Sequence, residues 1–153
     1  MVQGPTPGVP DPTRGAAPRV AEDQRCLLET RFAEGEVTGL RRQVGEHAAA
    51  AGLDAGPADD FVLAVNEAMS NAVRHGGGGG VMRVWRNGEL IAEISDEGPG
   101  FDVEARTSWA VPPRPSPTGG LGLWLASQVC DTMSIESGPD GTVVRVSARL
   151  PGR

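Results

Sequence analysis

The 153-residue sequence contains no lysine and no tyrosine, and all 14 of its basic side chains are arginines. Without lysine there is no Walker A phosphate loop, no kinase-type phosphate lysine and no Schiff base. Phosphate chemistry, if present, must rest on backbone amides, arginine or a metal ion. Cysteine is scarce too: Cys26 and Cys130 stand far apart, with no Cys or His near either at metal-ligand spacing. That excludes a zinc site and a disulfide framework, and predicts small buried thiols in a reducing compartment. No apolar run reaches the roughly 18 residues of a membrane span. The N-terminus lacks the apolar core of a signal peptide. A soluble, cytoplasmic protein is expected, with no membrane partner. The net charge of −6 argues against direct binding to nucleic acid.

The length suits one domain with a real core. Residues 1–25, rich in proline and glycine and poor in large apolar groups, predict a disordered tail, and residues 26–153 form the expected domain. Alternation predicts a strand over 27–32. Val37, Leu40, Val44 and Ala48 predict a helix over 36–51 that stops at Gly52. A second helix is expected from Ala58, after Gly56-Pro57, to His75, with Asp59 and Asp60 in its favourable first turn. The glycine run 76–80 ends it. Strands over 81–86 and 90–95 flank Asn87-Gly88, a strong hairpin signal. A proline-rich loop covers 101–118, a third helix 121–132, and strands 134–137 and 142–150 close the chain around a Gly-Pro-Asp-Gly turn. This order predicts an α/β fold: a two-layer sandwich of a mixed, mostly antiparallel sheet covered on one face by helices.

Three constellations carry chemistry. On the second helix, Phe61, Val65, Ala68, Met69 and Ala72 form the sheet-facing stripe, while Glu67, Asn71 and His75 form a separate polar line. A carboxylate and a carboxamide one turn apart can serve a proton and a hard metal ion, although a solvated helix face would look the same. Asp96-Glu97-Gly98-Pro99-Gly100 follows an apolar strand. Its carboxylate can accept from an exocyclic amine while its glycines admit a flat ligand; a plain tight turn is the alternative. Thr118-Gly119-Gly120-Leu121-Gly122-Leu123 opens a helix and exposes amides suited to an anion, or is simply a flexible lead into that helix.

Together and in this order, these segments resemble the GHKL ATPases of the Bergerat (histidine-kinase-like) fold. Residues 67–75 resemble the N box, 96–100 the first glycine box and 120–123 the second. Gly141-Thr142-Val143-Val144-Arg145-Val146 is similar to the closing strand. Within the family, the short chain and the N-E-A-x-x-N-A-x-x-H pattern most resemble bacterial anti-sigma factor serine/threonine kinases. The phosphoacceptor module of a sensor kinase is expected to be missing.

The resemblance implies ATP and Mg²⁺ as cofactors. It implies Glu67 as general base, Asn71 as Mg²⁺ ligand, and Asp96 on the adenine amine with Thr142 supporting through water. Gly98 and Gly100 would let the base lie close. The second glycine box, Gly120, Leu121, Gly122 and Leu123, would meet the phosphates, with amides offered by Gly120 and Gly122. Arg106 or Arg114 could reach phosphate from the loop, or remain solvated, and Trp109 could contact ligand, partner or domain body. The implied activity is phosphorylation of a STAS-type anti-sigma-factor antagonist, together with sequestration of a sigma factor. Homodimerisation is left open. Two alternatives stand: a non-catalytic ATP-binding regulatory module, and a detached sensor histidine kinase ATPase domain.

Overall fold

The computed structural model of the chain describes residues 25–101 and 121–151. Strand β1 (Arg25–Ala33) leads through a short 3-10 turn into helix α1 (Val37–Ala50), then α2 (Ala55–His75). Strands β2 (Gly79–Arg86) and β3 (Glu89–Ser95) follow, then α3 (Leu121–Val129), β4 (Thr132–Gly138) and β5 (Gly141–Arg149). The sheet runs β1-β2-β3-β5-β4, and all four pairings are antiparallel. The tail as far as residue 24, and the loop with Arg106, Trp109, Arg114 and Gly120, lie outside the described residues.

Strand register explains which face the helices cover. Met82, Ile94, Val144 and Ile135 pair across four strands, and Val84, Ala92, Val146 and Met133 form the next such row. Both rows are buried and share one core with the predicted α2 stripe, Phe61, Val65, Ala68, Met69 and Ala72. Fully burying each larger side chain contributes about 1.5–3 kcal/mol. This makes α2 the central helix, packed on β2, β3 and β5 and flanked by α1 and α3. The opposite face carries a charge ladder in which Glu93 stands between Arg145, at 2.7 Å, and Arg83, at 3.9 Å.

Three local expectations need correction. Helix α2 begins at Ala55 and not Ala58, because the Ala58 N–H already bonds to the Asp54 carbonyl at 2.9 Å. Pro57 sits in the first turn, where an N–H would have no helical partner anyway. Asp59 and Asp60 consequently fall beyond that turn. Helix α3 stops at Val129, before Thr132, since the Asp131 N–H bonds to the Ser147 carbonyl and has joined the sheet. Finally, Cys26 is exposed and not buried, whereas Cys130 is half-buried; both thiols are free.

Candidate functional site

The site begins with the two faces of α2. One face is committed to the core, so the residues beside it are held in fixed directions. Glu67, Asn71 and His75 are all half-buried and follow one another at single-turn intervals. The start of α3 reaches Glu67: a Cβ added to Gly122 would overlap Glu67 Oε1, with the carboxyl carbon 3.4 Å away. Helix packing therefore brings the N-box carboxylate and the second glycine box together. Leu121, at the outset of α3, is exposed, while Leu123 is buried and anchors the helix in the core.

Asp96 organises the other half. It follows β3, and its own N–H donates to the Thr142 carbonyl at 2.9 Å. Its Oδ1 accepts from the Gly98 N–H at 2.9 Å and from the Thr142 N–H at 3.2 Å. One carboxylate oxygen is thus tied to the backbone of two segments, and Oδ2 takes neither bond. Oδ2 faces the Cα of Gly76, where a Cβ would overlap it. A Cβ on Gly98 would lie 2.5 Å from Gly76 Cα and 2.7 Å from the His75 carbonyl oxygen. Gly100, with φ of +75°, packs on the backbone of Gly138, and Gly141 packs on that of Asp96.

Thr142 is buried, and its hydroxyl shares a 2.7 Å hydrogen bond with Ser137 Oγ. Ser137 Oγ also accepts from the Phe101 N–H at 2.8 Å. This network fixes the exit of the first glycine box. Sequence reading missed Ser137 as part of it and gave Gly76 and Gly141 no packing role around Asp96. The signal for Ser137 was present, because the turn through Pro139 and Asp140 pairs Ser137 with Thr142 in the β4–β5 hairpin.

An open cleft of about 630 Å³ borders Asp96, with Gly76, Glu97 and Arg31 among its walls. Glu67, Asn71 and Gly122 do not line it. Among the described residues, no three His, Cys, Asp or Glu side chains gather as a metal cage. Asn71 does offer a carboxamide oxygen one helical turn from the Glu67 carboxylate. A single protein oxygen suits Mg²⁺, which usually keeps water and substrate phosphates as its remaining ligands.

Residues 31–148 match the family described as the histidine kinase-like ATPase domain. The chain belongs to that family. The antiparallel five-stranded sheet under three helices is the GHKL ATPase fold, and membership implies ATP as the bound nucleotide. No curated protein matches the chain.

Two solved structures share the fold of this histidine kinase-like domain. One contains the RsbU and RsbW domains of a Mycobacterium tuberculosis protein, at 24% identity and a TM-score of 0.58. That match covers 82% of this chain and 34% of the other, so the chain spans about a third of that protein's length. The second is the mycobacterial sensor histidine kinase MprB, at 21% identity and a TM-score of 0.51, covering 82% of this chain and 99% of the other. No helix among the described residues is long and apolar enough to cross a membrane.

Proposed function

We propose that the chain is an ATP-dependent protein serine/threonine kinase that phosphorylates a STAS-type antagonist and sequesters a sigma factor. The observation that carries this reading is the contact between Glu67 and Gly122. A side chain able to take a proton stands at the start of the helix whose amides suit phosphate.

In this reading the Asp96 Oδ2 accepts the exocyclic amine of adenine, while Oδ1 remains tied to Gly98 and Thr142. Thr142 supports Asp96 directly through its backbone, in addition to any bridging water. Gly98 and Gly100 let the first glycine box pack on the backbone of Gly76, His75 and Gly138 and so place its own backbone beside the base, and Leu123 seats α3 so that Gly120, Leu121 and Gly122 meet the phosphates. Asn71 would hold Mg²⁺, which would supply positive charge to offset that of the phosphates. Glu67 accepts the proton of a serine or threonine hydroxyl on the partner. That oxygen forms a bond to the γ-phosphorus as the bond to the ADP oxygen breaks, and Glu67 then returns its proton to solvent.

The Mycobacterium tuberculosis structure with an RsbW domain supports the anti-sigma branch, as does the N-E-A-x-x-N-A-x-x-H pattern ending at His75. The domain organisation proposed with it is a tail over 1–25 and an ATPase domain over 26–153. The test measures Mg²⁺-ATP binding together with transfer to STAS-domain proteins. Binding with transfer supports the kinase, and binding without transfer to any of them supports a regulatory module instead. Asn71→Ala is expected to weaken binding in Mg²⁺ while leaving Mg²⁺-free binding unchanged.

A further inference from the structure

The glycine run after His75 is conspicuous in the sequence and has no part in the reaction above. Its first member meets the site. Gly76 caps α2, its N–H bonding to the Ala72 carbonyl at 2.8 Å, with φ of −108° and ψ of 22°. Those angles do not require glycine. The surroundings do: a Cβ at this position would overlap the Asp96 Cγ and Oδ2 and lie 2.7 Å from its Cβ.

Asp96 cannot swing aside freely. Its Oδ1 is held by the Gly98 and Thr142 N–H groups, and turning the carboxylate away breaks one or both bonds. Gly98 closes the other side of Gly76, its own missing Cβ falling 2.5 Å from Gly76 Cα. The end of α2, the first glycine box and the start of β5 therefore meet around one carboxylate.

We propose that Gly76 is a positioning residue that sets the direction of the Asp96 carboxylate and so the selectivity of the site for a 6-aminopurine. The inference rests on the reading of Asp96 as the adenine acceptor. Gly78 supplies the control. It lies in the same connection with φ of +101°, and a Cβ there meets nothing within 4 Å. An alanine at 78 strains the backbone but leaves Asp96 untouched.

The test compares binding of ATP and of purine riboside triphosphate, which lacks the 6-amino group, to the full chain. Wild type should prefer ATP by about tenfold or more, the worth of one hydrogen bond to a charged group. Gly76→Ala should bring that ratio close to one, whereas Gly78→Ala should keep it even where its melting temperature falls. A Gly76→Ala chain that keeps the wild-type ratio overturns the proposal and spares the reading of Asp96. A wild-type chain that binds both triphosphates equally contradicts that reading and removes the proposal with it. Should Gly76→Ala fail to fold, Gly76→Ala combined with Asp96→Gly decides the matter. Asp96→Gly alone, which already lacks the acceptor for Gly98 and Thr142, is the reference: a double variant that melts like it supports the contact, and one that fails to fold while Asp96→Gly folds overturns it.

Discussion

Gly122, the second residue of α3, lies directly against the Glu67 carboxylate, in the space a Cβ would need. Glu67→Ala should therefore keep ATP affinity within about threefold of wild type and lower the rate of transfer by about 10²–10⁴-fold, the usual contribution of a general base. Gly122→Ala should also slow transfer, because the added methyl displaces the carboxylate. Binding titrations beside single-turnover kinetics separate the two effects.

Asp96 is both a recognition group and a structural acceptor, and two substitutions divide those roles. Asp96→Ala leaves the Gly98 and Thr142 N–H groups without their acceptor. It should cost about 1–3 kcal/mol of stability as well as nucleotide affinity. Asp96→Asn can retain an oxygen for those N–H groups but offers adenine a second donor. It should melt near wild type and bind ATP at least about tenfold more weakly. Thermal melts and calorimetric titrations of the pair check this.

The ladder on the sheet face opposite the described helices makes a stability prediction unconnected with nucleotide. Glu93 is 14% exposed and bonds Arg145 Nε at 2.7 Å, whereas Glu29 is 56% exposed and meets Arg83 at 3.4 Å. Glu93→Ala should cost about 1–3 kcal/mol, since it leaves a half-buried guanidinium unpaired. Glu29→Ala should cost less than about 1 kcal/mol, as expected of a solvated pair. Urea denaturation of both variants compares them.

The thiols should differ sharply. Burial, with the Asp131 carboxylate adding to it, pushes the Cys130 thiol up to about 12 from an ordinary value of 9.0. At pH 8 a thiol reagent should modify exposed Cys26 in the native protein and reach Cys130 only after denaturation. The folded state holds the Cys130 proton more tightly than the unfolded state. Its contribution to stability is therefore complete below pH 9 and declines as pH rises from 9 towards 12.

Much of this architecture could be read from the chain alone. The α2 stripe, the Asn87-Gly88 hairpin and the order of elements follow from local periodicity and turn chemistry. The three motifs identified Glu67, Asn71, Asp96 and Gly122 as a set, and the fold brings Glu67 against Gly122 and Asp96 against the end of α2. What sequence could not supply was contact between distant segments. Gly76 read as a helix terminator because its neighbour Asp96 comes from another element. Thr142 read as a water-mediated partner, and the contacts that sequence did not show are its backbone N–H on the carboxylate and its hydroxyl on Ser137. The early start of α2 was hidden by Pro57, which reads as a boundary although a first helical turn accepts it.

The most direct test of the kinase assignment is transfer of the γ-phosphate of ATP, in Mg²⁺, to a serine or threonine of a purified STAS-domain antagonist. Wild-type protein and Glu67→Ala should be compared after ATP binding by both has been verified. Phosphoserine or phosphothreonine formed by wild type and abolished by Glu67→Ala is the predicted result. Equal transfer by the two proteins would contradict the assignment of Glu67 as base, and a wild-type chain that binds no ATP up to millimolar concentration would contradict the whole account.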